Sequence, residues 1–474
     1  MNKTNYLGPK IIFYELNEVP RRLFDFYVKN FPKSSFASFV NDGLVFDTFT
    51  LDEGELHPWS TWPTVHRGVD NRTHKIKYLN QDLSYTKKYK PIWEILTDNQ
   101  IDVGIFGSLQ SYPPIFSKNY KFYLPDTFSK DSLAFPSNLS EFQSFNLGLT
   151  SDNKALSRDI KGKYIFDFIS LLKNNTISKS SALRTVLHLF KEKINPKYST
   201  RRSTLQNVLS FDLYLKSLKE FRPTFSTFFT NHVAGMMHRY WKDLFFEDFC
   251  LEKDDIDLFH SQSILKAMHL ADQNLKKLIK FSKEFNYNIL IISSMGQASI
   301  DRGEYIPEIY LKNFDIFIKS LNLLPDNYKL LPAMHPDYCI ESNDLESMNK
   351  LRCAVSTLKD YSGIQLLAER YEPVGLKINF IFKPSASFVK HKSCFFGKKI
   401  YQIAQIGCEF ISRDIGTGYH TPDGIFCWWG QDQKLLMKNK VNTPIDTRRI
   451  CPTILKTYGI KIPQYMIKPL IINK

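Results

Sequence analysis

Ile11-Ile12-Phe13-Tyr14-Glu15-Leu16-Asn17-Glu18 is an apolar run that stops on polar residues. Its short length and paired isoleucines predict a buried strand. Working outward, residues 19–40 carry apolar side chains at helical spacing and end at the turn signal Asn41-Asp42-Gly43. Residues 103–106, 225–229, 289–292 and 425–428 also read as strands, and 256–281 as an amphipathic helix. Strands alternating with helices predict a mostly parallel sheet covered on both faces. Residues 115–220 are polar and rich in Lys, Ser and Asn, with helical stretches at 165–172 and 205–218. They read as an insertion or cap outside the sheet. Residues 303–400, with a strand at 378–382, read as a second insertion, and a last helix is expected at 452–458. The expectation is one domain over 1–474 with these two insertions.

The bulk composition fits this. Of 474 residues, 43% are hydrophobic and 23% charged, enough apolar matter for a large core. The formal charge of +15 attracts anionic partners. The basic residues are dispersed, with no arginine-rich arm, zinc-finger spacing or RNA-binding aromatic signature. A phosphorylated small molecule therefore fits the charge better than nucleic acid. The seven cysteines, at 250, 339, 353, 394, 408, 427 and 451, are scattered and form no CxxC pair, which points to a reducing compartment. Residues 1–6 hold no apolar stretch, and no 18-residue apolar segment offers a membrane span. A cytoplasmic protein is expected.

In open α/β sheets, ligands bind at the carboxyl ends of the strands. Four segments put polar residues there: Glu15 to Glu18, Thr230-Asn231-His232 running to His238, Ser293-Ser294-Met295-Gly296, and Gly418-Tyr419-His420. A fifth, His57-Pro58-Trp59-Ser60-Thr61-Trp62-Pro63-Thr64, reads as a loop entering a helix, with Pro63 in the first turn and a Ser or Thr capping it. A hydroxyl at a helix N-terminus suits phosphoryl chemistry, because free N–H groups and the dipole favour negative charge. If the first strand runs through both Glu15 and Glu18, only one of them faces the site.

Thr61-Trp62-Pro63-Thr64, then Gly68, then Thr73-His74-Lys75-Ile76 resembles the nucleophile segment of type I phosphodiesterases and nucleotide pyrophosphatases, a branch of the alkaline-phosphatase-like superfamily. Gly418-Tyr419-His420-Thr421-Pro422-Asp423-Gly424-Ile425 resembles the late histidine motif of that family, and His238-Arg239-Tyr240-Trp241 its H-x-x-W. Asp446, Pro452-Thr453-Ile454-Leu455 and Tyr458 to Pro463 are similar to its closing segment. The matches run in order from about residue 11 to 466 and leave both insertions unmatched.

The resemblance implies an alkaline-phosphatase-like three-layer α/β sandwich. It also implies a two-metal site with Thr61 as nucleophile, Ser60 being the less favoured neighbour. His238 and His420 would bind one metal, joined by His232, while Asn17 falls near a ligand position of the first strand. The chain departs from the family where Ala234 stands four residues before His238, and where Ser294-Met295-Gly296 replaces Asp-His-Gly. Thioether and hydroxyl are weak ligands for Zn²⁺ or Mg²⁺, so the second metal loses its ligands and one divalent ion, Zn or Mn, is expected. Glu15 or Glu18 would supply charge or act as a base. Thr64, His66, Arg67, Asn231 and Ser294, with Ser60, are the candidate substrate contacts.

The expected activity is hydrolysis or transfer of a phosphoester or phosphodiester. Relatives beside cell-envelope polysaccharide genes rank a sugar-phosphate or nucleotide-sugar intermediate first. Plainer alternatives remain at each position. Thr61 could be a helix cap, His238 a core residue beside Trp241, and His232 a hydrogen-bonded strand-end histidine. Arg67 could be a surface cation, and Met236, Met237 and Met295 packing residues. A non-catalytic phospho-ligand or partner-binding descendant, or metal-independent transfer by histidine acid–base work, would use the same fold.

Overall fold

The structure is a computed structural model that describes residues 8–79, 81–150, 162–303, 307–331, 333, 336–370, 373, 375–411, 416–433, 436 and 444–470. Eight strands form the central sheet. In spatial order they are Ile445–Asp446, Leu44–Phe49, Asp423–Trp429, Tyr287–Ile292, Lys10–Leu16, Phe225–Thr230, Val103–Phe106 and Tyr120–Leu124. Asp423–Trp429 runs against both its neighbours, and every other pairing in the sheet is parallel. This is the mostly parallel, doubly covered α/β architecture that the strand–helix alternation predicts.

The strand at its centre is buried on both sides because alternate residues serve different layers. Ile12, Tyr14 and Leu16 join one core with the helices Arg21–Asn30, His232–Leu244 and Leu258–Phe285. Ile11 and Phe13 join the other, with Pro58–Arg67, Ile92–Asp98 and Ile450–Thr457. A third hydrophobic cluster, from Ile309 to Cys408, is organised around a separate antiparallel sheet that includes Asp337–Ser342 and Lys377–Phe382.

Four local expectations need correction. The apolar stretch 19–40 is two helices, Arg21–Asn30 and Ser35–Asp42, because Pro32 interrupts it and Ser34 caps the second by accepting from the Ala37 N–H. The presumed insertion 115–220 is not wholly outside the sheet: Tyr120–Leu124 is its edge strand, paired with Val103–Phe106. Residues 151–161 of that stretch lie outside the described residues. Leu44–Phe49 is an unforeseen central strand whose half-buried alternation hides it beside Gly43. The helix of the Thr61 segment starts at Pro58 with His57 at its N-cap, so Pro63 lies inside it. Pro58 takes the first-turn position that suits proline.

Three strands stop together. Leu16 pairs with Thr230, and Glu15 with Ile292, so Asn17-Glu18, Asn231-His232 and Ser293-Ser294 emerge side by side. Phe228 anchors this edge: it is fully buried among the rings of Tyr14, Phe106, Phe211 and Tyr214. Phe228→Ala is expected to lower unfolding free energy by about 3–5 kcal/mol in urea titration. A loss below about 1 kcal/mol would contradict this packing.

Candidate functional site

Glu18 sits one residue past Asn17 in a left-handed conformation, φ 60°. A non-glycine residue there is strained, and such strain concentrates at functional sites. The turn directs Glu18 into a recess where it is 2% exposed and faces two imidazoles. Its Oε2 lies 2.9 Å from His238 Nε2 and 3.4 Å from His420 Nε2. Asn17 Nδ2 donates to Glu18 Oε1 at 2.7 Å, and Gln297 Nε2 donates to Glu18 Oε2. Burial alone would raise the Glu18 carboxyl. The facing His420 and His238 outweigh it and hold the group well below the usual carboxylate range.

The helix His232–Leu244 brings His238 in, and a kink fixes it there. Tyr240 leaves helical geometry at φ −122°, ψ 24°. The Lys242 N–H donates to Thr417 Oγ1 at 3.1 Å, while the Thr417 N–H donates to the His238 carbonyl at 2.8 Å. A foreign hydroxyl in the helical ladder is a sufficient cause for such a kink. Thr417 leads into the short strand Gly418–Thr421, which carries His420 and pairs antiparallel with Gly296–Ser299, placing His420 opposite Gln297. Gly418 is required by proximity, since a Cβ there would stand 2.4 Å from the Met237 carbonyl oxygen. The His238 Nδ1–H donates to the Gly418 carbonyl at 3.0 Å, which leaves Nε2 as the atom turned to Glu18.

Glu18, His238 and His420 are the one cluster among the described residues that offers three metal-ligating groups, with ligand atoms all within 4.8 Å of one another. The chemistry fits a divalent ion. The donors are one carboxylate and two imidazoles, a set that suits Zn²⁺ or Mn²⁺. His238 has its other nitrogen anchored on a carbonyl, as metal-bound histidines do. His420 Nδ1 is buried without a hydrogen-bond partner, and His238 keeps 32% of its side chain exposed.

Thr61 lies in the first turn of Pro58–Arg67, not at its cap, and its N–H already donates to the His57 carbonyl at 2.9 Å. Its hydroxyl is 2.8 Å from Ser294 Oγ, and both are fully buried. Trp62, next in the chain, donates from Nε1 to Asn17 Oδ1 at 2.8 Å. Asn17 therefore links the helix that carries Thr61 to Glu18. Ser60 Oγ is buried without a partner.

Several expected site residues lie elsewhere. Glu15 points to the opposite face of the sheet, where His66 Nε2 donates to Oε1 at 2.7 Å and Ser108 Oγ to Oε2 at 2.8 Å. Neither Glu15 nor His66 reaches the recess. His232 is no ligand in this arrangement, because Nδ1 bonds Thr230 Oγ1 at 2.7 Å and Nε2 donates to the Ala267 carbonyl at 3.0 Å. Burial also lowers its pKa to about 4. Asn17 turns its amide nitrogen toward Glu18 and Asn231 and its oxygen toward Trp62, so the oxygen a cation would take faces away. Asn231 accepts from Asn17 Nδ2 at 2.6 Å, at the rim. Arg67 donates to the Tyr89 carbonyl at 2.5 Å instead of facing a substrate. Thr64 donates to Asp52 at 2.8 Å and accepts from His74 Nε2 at 3.0 Å, with burial pushing Asp52 up to about 7 and His74 down to about 3.

Other residues at the site carry no local sequence signal. Arg370, from the segment with the separate antiparallel sheet, contacts Glu55 and Asp337, each at 2.5 Å, and lies 3.3 Å from His57 Nε2. The Tyr419 hydroxyl donates to the same Glu55, and the His57 and His420 rings lie 5.6 Å apart. Arg302 stacks over Tyr419 at 5.0 Å. Together these residues form a lip of two arginines and aromatic rings beside His420. Gln297 is foreshadowed only by its place just after the Ser294-Met295-Gly296 strand end.

No family model and no curated protein matches the sequence. Solved structures resemble it distantly over most of the chain. One is murine ectonucleotide pyrophosphatase/phosphodiesterase 5, inactive and in complex with AMP, at 11% identity and TM-score 0.43 over 97% of each chain. The human form gives 12% and 0.44 over 98% of this chain and 100% of that one. Phosphonoacetate hydrolase from Sinorhizobium meliloti 1021, in complex with phosphonoformate, gives 13% and 0.42 over 95% and 96%. At these values they assign no family.

The geometry predicts a clear contrast in elemental mass spectrometry. Wild type is expected to hold about one Zn or Mn per chain, with the metal lost in His238→Ala and in His420→Ala and retained in His232→Ala. Metal lost equally in all three variants would contradict the assignment.

Proposed function

We propose that this protein cleaves or transfers a phosphoester or phosphodiester group of an anionic small molecule, with Thr61 as nucleophile beside a one-metal site of Glu18, His238 and His420. The observation that carries the reading is the convergence of strand ends, which brings the turn at Glu18 out beside the strand end of Ser294, to which the Thr61 hydroxyl is hydrogen-bonded. A divalent ion bound there would polarise a phosphoryl oxygen and stabilise charge built up on it.

The chain's own groups do the rest. Ser294 orients the Thr61 hydroxyl. In the transfer step the Thr61 Oγ1–P bond forms as the P–O bond to the leaving group breaks, and the hydroxyl proton ends on the leaving alkoxide. Water or a second alcohol then forms a bond to phosphorus as the Thr61 Oγ1–P bond breaks, its proton returning to Thr61 Oγ1, and which of the two attacks separates hydrolysis from transfer. Gln297 and Asn17 orient the Glu18 carboxylate by donating to its two oxygens. Of the lip arginines, Arg302 over the Tyr419 ring supplies positive charge for a phosphate, since Arg370 is paired with Glu55 and Asp337. Glu15 is withdrawn as a base, being bonded to His66 and Ser108.

A sugar-phosphate or nucleotide-sugar intermediate of envelope polysaccharide synthesis is the substrate class we favour. The +15 charge supports a phosphorylated ligand. We place the protein in the cytoplasm on its seven cysteines, which are free in the structure. No helix among the described residues is long and apolar enough to cross a membrane.

A second reading, ligand binding without turnover, draws on the complete burial of Thr61. Assay of a chromogenic phosphodiester separates the two. Thr61→Ala is expected to lower turnover by about 10³-fold or more while Thr61→Ser keeps a measurable part of it. Unchanged turnover in Thr61→Ala would refute the nucleophile. Stoichiometric nucleotide binding with no turnover by metal-loaded wild type would establish the binding reading.

A further inference from the structure

The helix Lys179–Ile194 is built the wrong way round for a surface helix. Its protein side is small and polar: Ser181, Ala182 and Thr185 are buried, and Ala182 joins the main core. Its outward side carries Leu183, Val186, Leu187, Phe190 and Ile194, exposed by 59%, 53%, 52%, 60% and 71%. At 3.6 residues per turn these five fall within an arc of about 100°, a continuous apolar stripe. An ordinary amphipathic helix turns such a stripe to the core.

Cations edge the stripe. On the same wheel Arg184 and Lys191 flank it on one side and Lys193 on the other, with Lys179 at its N-terminal end, and all four are exposed. Glu192, the acid of this helix, is engaged by Arg202 and His188. Residues 165–202 hold eight Lys and Arg against two Asp and Glu. The neighbouring helix Gly162–Lys173 exposes Ile165, Phe166 and Ile169 as well. A two-fold contact between copies of this chain would bring these like charges together. Headgroups of an anionic bilayer complement them, while the stripe enters the acyl boundary and the long cationic side chains reach back to phosphate. At 16 residues the helix is too short to span, since spanning takes about 20.

We propose that this helix docks the protein on an anionic lipid surface, lying in the plane of the interface with Leu183, Val186, Leu187, Phe190 and Ile194 inserted. The inference uses none of the active-site residues and stands apart from the proposed chemistry. Cosedimentation of the full chain with vesicles of phosphatidylcholine, alone or mixed with phosphatidylglycerol, tests it. Wild type is expected to sediment with the mixed vesicles, less so at high salt. The double substitution Leu187→Ser, Phe190→Ser is expected to weaken that binding by about tenfold or more with an unchanged circular dichroism spectrum. Lys191→Glu with Lys193→Glu is expected to remove the preference for the anionic lipid. The proposal is overturned by absence of binding to the mixed vesicles, or by binding indifferent to the Ser substitutions. It is equally overturned by a wild-type dimer that binds no vesicles and that the Ser substitutions convert to monomer.

Discussion

A carboxylate buried to 2% exposure needs positive charge and hydrogen bonds around it, and much of this site answers that need at Glu18. Two amide groups donate to its oxygens, and two imidazoles face it. Those partners come from widely separated parts of the chain, so the charge of one side chain ties together the first strand, the His232–Leu244 helix and the ribbon that carries His420. A divalent ion between the same three groups would relieve the demand more completely than protonated histidines, because both imidazole lone pairs could then turn inward. The left-handed backbone at Glu18 is the strain accepted for this aim.

The second constraint is the broken turn at Tyr240. A regular helix would spend the His238 carbonyl on the Lys242 N–H. Here the Thr417 backbone and hydroxyl take both partners, so the histidine helix and the histidine ribbon are joined by hydrogen bonds within one helical turn of His238 and three residues of His420. Placement of the two rings, 5.0 Å apart between centroids, thus follows from backbone pairing rather than from side-chain freedom. Gly418 makes the approach possible, and its own carbonyl sets which nitrogen of His238 is left for the site.

The sheet is legible in the sequence where strands are buried on both faces, because residues 11–14 of the first strand and 289–292 of Tyr287–Ile292 are unbroken apolar runs. Leu44–Phe49 and Tyr120–Leu124 escape the same reading, since Asp47 and Lys121 interrupt them and turn or lysine-rich sequence surrounds them. At the site, polar residues near strand ends nominate Glu18, His238, His420 and Ser294, a loop entering a helix nominates Thr61, and the roles of Thr61 and the two histidines come from the resemblance to the phosphodiesterases. It cannot separate Glu18 from Glu15, because the answer lies in where the strand stops and in one backbone angle. His232 looks the same as a ligand until Thr230 and Ala267 are seen to occupy both its nitrogens. Thr417 and Arg370 act only through contacts made by folding, and Gln297 has no sign beyond its place just after Gly296.

Anomalous diffraction from crystals soaked in zinc tests the central claim most directly. The account predicts a single strong peak about 2.0–2.2 Å from a Glu18 carboxylate oxygen and from one nitrogen each of His238 and His420. A lattice that takes up zinc elsewhere but shows no peak among these three residues would contradict it.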